Sequence, residues 1–144
     1  MVIEDAPKSN SAESDQVPER ESRERKVTRI LLAEDDQNLR ESLQDTLRYE
    51  DYAVEAVENG QLLVDKLANG EYDLVIMDND MPILTGVQAL KEIRNQGKSL
   101  PVIVFSTRSG ELQKTITELG GTCLSKEAPQ DFLPTIKMVL EGVK

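Results

Sequence analysis

The stretch YDLVIMDNDMPILTG, Tyr72 to Gly86, decides how the rest of this sequence is read. Leu74 to Met77 is a continuous apolar run of strand length, and it stops abruptly on Asp78. A turn-like loop holding Asp80, Met81-Pro82 and Gly86 follows. A carboxylate at the carboxyl end of a buried strand costs free energy unless a cation, hydrogen bonds or chemistry make use of it. The remaining sequence has to account for Asp78.

On either side of this stretch, apolar runs alternate with helical patterns. Upstream, Ile30 to Ala33 is a short apolar run that ends in Glu34-Asp35-Asp36, after which Leu39, Leu43 and Leu47 recur at helical spacing. Asp36 is placed to cap that helix. Tyr52 to Val57 reads as an alternating strand, and Asn59-Gly60 leads into a helix that carries Leu63 and Leu67 and stops at Asn69-Gly70. Downstream, Val87, Leu90 and Ile93 mark a helix that ends near Asn95 to Gly97, and Pro101 introduces the strand Val102 to Ser106. Ser109 is expected to cap a helix with Leu112, Ile116 and Leu119 inward, closed by Gly120-Gly121. A brief strand, Thr122 to Ser125, ends at Lys126. A last helix from about Pro129 to Gly142 then buries Leu133, Ile136, Val139 and Leu140. Pro134 suits that helix only in its first turn or at a kink.

Five short strands separated by helices, with connections too long for hairpins, imply an α/β fold with an all-parallel sheet and helices on both faces. The right-handed crossover rule makes the doubly wound, flavodoxin-like strand order 2-1-3-4-5 the natural one, and ligands then collect beyond the carboxyl ends of strands one and three. At the carboxyl ends, strand one gives Glu34 and Asp35, strand three Asp78, strand four Ser106 and strand five Lys126. All of the chemically capable side chains fall on one edge.

Composition narrows the chemistry. The 144 residues, 38% of them hydrophobic, suit one domain with a real core. Met1 to Lys26 is rich in Glu, Ser, Arg, Asp and Pro, so residues 1–26 are expected to be a flexible tail or linker and residues 27–144 the folded domain. The absence of histidine excludes Ser-His and Cys-His catalysis, zinc sites of the Cys/His kind and a phosphohistidine carrier, and the single Cys123 cannot form an internal disulfide. A net charge of −10 argues against nucleic-acid binding through this chain. With no apolar run of about 20 residues and no signal-peptide pattern, a cytoplasmic location away from membranes is expected.

Glu34, Asp35 and Asp78 together call for a cation, since carboxylates about 4 Å apart repel by roughly 4 kcal/mol at an effective dielectric of 20. With oxygen ligands alone, Mg²⁺ is the expected ion. Lys126 offers a fixed positive charge and Ser106 a hydroxyl donor toward a transferred phosphoryl group, and Asp78 is the member placed to act as nucleophile.

ILLAEDD (Ile30 to Asp36), VENG (Val57 to Gly60), DLVIMDNDMPILTG (Asp73 to Gly86), LPVIVFST (Leu100 to Thr107) and the strand-ending Lys126, in this order and spacing, closely resemble the receiver domain of the two-component response-regulator family. The resemblance runs from Arg29 to about Leu140. It implies Asp78 as phosphoacceptor from a histidine kinase or a histidine phosphotransfer protein, and Asp35 as direct Mg²⁺ ligand. Glu34 would act through water and Asp80 through its backbone carbonyl. Ser106 and Lys126 would meet the phosphoryl group, and an unknown downstream protein would read the face formed by the fourth helix, fifth strand and fifth helix. Such a module is a switch rather than a turnover enzyme. Three positions depart from the family pattern: Glu127 stands where a proline usually follows the lysine, Cys123 replaces the usual switch aromatic, and Thr107 is bulkier than the usual small residue. Asp80 and Arg108 flank the site and are expected to form an ion pair across its mouth.

Two other function classes share parts of the pattern. Asp78-Asn79-Asp80 suggests an aspartate-nucleophile phosphatase of the haloacid-dehalogenase type, although Pro82 stands where that motif wants Thr or Val. A receiver-like interaction module independent of phosphorylation is the other, with Cys123 and Glu127 in its favour.

Overall fold

The computed structural model describes residues 26–142, so the expected tail of residues 1–26 lies, apart from Lys26, outside the described residues. Five strands make a single sheet: β1 (Arg29–Ala33), β2 (Ala53–Val57), β3 (Leu74–Asp78), β4 (Val102–Ser106) and β5 (Thr122–Ser125). The order is β2-β1-β3-β4-β5 and every pairing is parallel, as the alternation of strands and helices requires. The helices are α1 (Gln37–Tyr49), α2 (Gly60–Asn69), α3 (Gly86–Asn95), α4 (Ser109–Glu118) and α5 (Phe132–Leu140).

Period-two alternation along the strands splits the core into two layers. Leu31, Val75, Met77, Val102 and Val104 point to one side and pack with Leu63 and Leu67 of α2, Leu90 and Ile93 of α3 and Ile116 of α4. Ile30, Leu32, Leu74, Ile76, Ile103 and Phe105 point to the other and pack with Leu47 of α1 and Ile136 of α5. Strands β3 and β4 are buried at every position because both faces are covered.

Local chemistry starts the helices. Asp36 caps α1 by accepting from the Leu39 N–H at 3.2 Å, and Asn59 caps α2 by accepting from the Leu62 N–H at 2.8 Å. At α3, Thr85 and Gln88 form a reciprocal capping box. The cap of α4 falls on Arg108, without a side-chain bond, and Ser109 is the first helical residue rather than the cap. The final helix is also shorter than its periodicity predicts. A 3-10 turn, Pro129–Asp131, precedes it, and it ends at Leu140 instead of Gly142. Pro134 lies in its first turn, where no intrahelical N–H bond is lost.

At the pole opposite the carboxyl ends of the strands, the half-buried Arg94 closes the end of α3. Its guanidinium donates to the carbonyls of Leu119 (2.7 Å), Leu100 (2.9 Å), Lys98 (3.0 Å) and Gly120 (3.2 Å). These bonds tie the carboxyl end of α4 to the α3–β4 connection.

Candidate functional site

The strands stop where the chemistry begins. β1 runs off into Glu34, whose N–H still donates to Val57 of β2 at 3.0 Å, so its side chain is delivered to the edge buried, at 1% exposure. β3 ends on Asp78, 2% exposed and beside Phe105 in the register, and β4 ends on the fully buried Ser106. Lys126 follows β5, and its N–H donates to the Ser106 carbonyl at 3.1 Å, which sets its side chain next to the others.

Among the described residues, Glu34, Asp35 and Asp78 form an acidic cluster whose ligand oxygens all lie within 4.8 Å of one another. The carboxylate of Asp78 has distinct partners for its two oxygens. Lys126 Nζ donates to Oδ2 at 2.9 Å, and the Asp80 N–H donates to Oδ1 at 3.1 Å. Lys126 Nζ also stands 3.8 Å from Glu34 Oε1 and 5.3 Å from the centre of the Phe105 ring. Glu34 Oε2 accepts from the Asp36 N–H at 3.1 Å, whereas its Oε1 is buried without a hydrogen-bond partner among the described residues.

Electrostatics follow from this crowding. Burial, reinforced by the neighbouring Asp78 and Asp35 side chains, pushes Glu34 from the ordinary 4.5 up to about 7, against the opposing pull of the Asp36 N–H and Lys126. Burial alone would lower Lys126. The hydrogen bond to Asp78 and the charges of Asp78, Glu34 and Asp80 outweigh it and leave its pKa raised. The ammonium is therefore charged throughout the neutral range. An all-oxygen donor set with an orphaned buried carboxylate oxygen fits a hard divalent cation.

All five predicted edge residues are brought to one place. The Asp80 carboxylate stays out of the acidic cluster and instead accepts from Arg108 at 3.1 Å, forming the ion pair expected across the mouth, with both side chains about half exposed. The Ser106 hydroxyl oxygen accepts from the Arg108 N–H at 2.9 Å. The peptide after Lys126 is trans. Two participants escape sequence reasoning. Phe105 lies under the Lys126 ammonium and meets Phe132 edge-on at 6.5 Å, where its sequence reads only as core. Asn79 is 2% exposed, with its N–H, its carbonyl and its side-chain Oδ1 all hydrogen-bonded.

Comparisons with known proteins agree with this architecture. Residues 30–136 match the response regulator receiver domain family. The response regulator MprA of Mycobacterium sp. (strain KMS) is 38% identical over 80 residues, which are 56% of this chain and 35% of MprA. The chain thus spans about a third of that curated relative. Among solved structures, the chemotaxis response regulator CheY4 of Vibrio cholerae superposes with a TM-score of 0.73 at 26% identity, covering 79% of this chain and 99% of that one. The response regulator TrrA of Thermotoga maritima, solved in complex with Mg²⁺-BeF, gives 0.68 at 28% identity over 78% of this chain and 99% of its own. Among the described residues, no helix is long and apolar enough to cross a membrane.

Proposed function

The chain belongs to the response regulator receiver family, and from that premise we propose that it accepts a phosphoryl group on Asp78 from a histidine kinase or a histidine phosphotransfer protein and thereby switches a partner-binding face. The observation that carries the reading is the treatment of Asp78. A buried carboxylate is fixed through one oxygen by Lys126 at 2.9 Å and through the other by the Asp80 N–H at 3.1 Å, beside two further acids. A carboxylate meant only for stability would be neutralised by its partner. Here three acids face one lysine, and the surplus negative charge calls for a cation.

In the transfer, an Asp78 oxygen attacks the phosphorus of the phosphohistidine. The O–P bond forms as the P–N bond breaks, and the electron pair stays on the imidazole nitrogen, which takes up a proton. Lys126 supplies positive charge next to the reacting carboxylate. The Ser106 hydroxyl, whose oxygen is held by the Arg108 N–H, keeps its proton free to donate to a phosphoryl oxygen. Glu34, Asp35 and Asp78, with the Asp80 backbone carbonyl, would hold Mg²⁺, which when bound neutralises charge on the phosphoryl oxygens. The Asp80–Arg108 pair at the mouth sets how readily water reaches the acyl phosphate. The switched face is that of α4, β5 and α5, where Cys123 takes the place of the usual relay aromatic. TrrA, with 28% identity and a Mg²⁺-BeF complex, supports the metal and phosphoryl reading.

Incubation with Mg²⁺ and acetyl phosphate or beryllofluoride tests the assignment. NMR and mass spectrometry should report a Mg²⁺-dependent, stoichiometric change that Asp78→Asn abolishes. No change, or an undiminished one in the variant, would replace this reading with a phosphorylation-independent interaction module. Catalytic turnover of a phosphate ester would favour the phosphatase.

A further inference from the structure

The proposed phosphoryl chemistry assigns no role to Asn79, yet this residue is 2% exposed, as deeply buried as Asp78 beside it. Four hydrogen bonds pass through it. Its N–H donates to the Phe105 carbonyl of β4 at 3.0 Å, and its own carbonyl accepts from the N–H groups of Met81 at 3.1 Å and Gly86 at 3.0 Å. Its side-chain Oδ1 accepts from the Val87 N–H at 3.0 Å. Val87 is the second residue of α3, and its N–H is one of the first-turn donors that a helix leaves without an internal partner. The local cap, Thr85, is spent on Gln88. The end of β3 and the start of α3 are thus tied together across the intervening loop.

That loop is held against its own preference. Ile83 is a β-branched residue at φ 74° with 70% exposure, a left-handed conformation that neither its side chain nor its packing favours. The tie is also close: a Cβ at Gly86 would stand 2.9 Å from both Asn79 Cα and the Asp78 carbonyl oxygen. Its consequence falls on Asp80, the next residue, whose N–H meets Asp78 Oδ1 at 3.1 Å. If the Asp80 backbone turned, that donor would leave the carboxylate, and the carbonyl assigned to the cation would turn with it.

We propose that Asn79 is a positioning residue: the bond from its side chain to the Val87 N–H fixes the Asp80 backbone, and through it the orientation of Asp78 and the cation-binding geometry of the acidic pocket. The inference rests on the reading of Asp78 as the phosphoacceptor only for its consequence on phosphorylation; its effect on Mg²⁺ binding can be measured without a phosphodonor. An apolar side chain of the same size fills the space but accepts no hydrogen bond, whereas aspartate keeps the acceptor.

The test compares the full chain with Asn79→Leu and Asn79→Asp. Val87 amide exchange and a Mg²⁺ titration are followed by NMR, and the Mg²⁺ dependence of labelling by acetyl phosphate by mass spectrometry. In Asn79→Leu, Val87 exchange should accelerate and the half-saturating Mg²⁺ concentration should rise about tenfold, the usual effect of losing a residue that orients a metal ligand. Asn79→Asp should restore Val87 protection and return half-saturation to within about threefold of the original. Should the leucine variant not fold, Asn79→Ala carries the same expectation, since it also removes the acceptor and adds no bulk. A folded Asn79→Leu with unchanged Mg²⁺ affinity overturns the proposal, as does an Asn79→Asp as impaired as the leucine variant. An original chain that binds Mg²⁺ yet takes up no phosphoryl group overturns the phosphoacceptor reading and leaves the Mg²⁺ titration to decide the role of Asn79.

Discussion

Replacing Glu34 by glutamine should make the divalent-free protein more stable above neutrality, not less. Glu34 is raised from 4.5 to about 7 because it is buried, with Asp78 and the Asp35 side chain adding to the effect. A folded-state value above the unfolded one means that the native state favours the protonated form. That stabilisation is fully present below about pH 4.5 and is lost as pH rises through about 7. The difference between the two values corresponds to at most about 3 kcal/mol. Urea unfolding followed by circular dichroism, in a chelating buffer between pH 5 and pH 8, measures it. The original chain should lose stability across this range, while Glu34→Gln should show a flatter profile and be the more stable of the two at the alkaline end. Adding Mg²⁺ there should stabilise the original chain and have much less effect on the variant. A variant with the same pH dependence, or one less stable than the original at pH 8, would refute the account of Glu34 as a strained, ion-seeking acid.

Two further substitutions probe the loop and the mouth. Gly86→Ala places a Cβ 2.9 Å from the Asp78 carbonyl oxygen and Asn79 Cα and 3.1 Å from Val104 Cγ1, so denaturant unfolding should show a loss of about 1–3 kcal/mol from overpacking. Arg108→Ala and Asp80→Ala remove a half-exposed ion pair, so each should change stability by less than about 1 kcal/mol. Both should nonetheless alter the rates of phosphorylation by acetyl phosphate and of dephosphorylation; unchanged rates in both variants would remove the pair from the mechanism.

The strands and the edge residues were legible because burial on both faces leaves a plain signal. Leu74 to Met77 and Val102 to Phe105 are continuous apolar runs, and the first polar residue after each marks the carboxyl edge of the sheet, where the pocket lies. Helix starts were legible where a side chain does the capping, as at Asp36 and Asn59. At α4 no side chain caps, so Ser109 attracted a role that its position one residue inside the helix does not give it. The turn at Pro129–Asp131 was read as helix because a proline suits the first turn of a 3-10 helix as well as that of an α-helix. Asn79 and Ile83 were illegible for opposite reasons. An asparagine after a strand looks like surface, and an isoleucine gives no hint of a left-handed backbone. The acidic cluster and its need for a cation were foreseen, but the orphaned Glu34 Oε1 was not, since it depends on side-chain directions that spacing does not encode.

The Arg94 guanidinium gives α4 the mechanics of a lever. The carboxyl end of this helix is pinned through Leu119 and Gly120, each bonded to a charged donor that also grips Lys98 and Leu100. Its other end begins at Arg108, held by a solvent-facing ion pair to Asp80 and one bond to the Ser106 hydroxyl. Four charge-assisted bonds, three of them part-buried, outweigh a single exposed pair, so the fulcrum lies at the Arg94 pole and the light end at the pocket. Ten residues make an arm of about 15 Å, and a tilt of about 10° sweeps the light end through about 3 Å. A displacement of atomic size at Ser106 is thereby spread along the length of the helix, largest beside the pocket and vanishing at the pinned end.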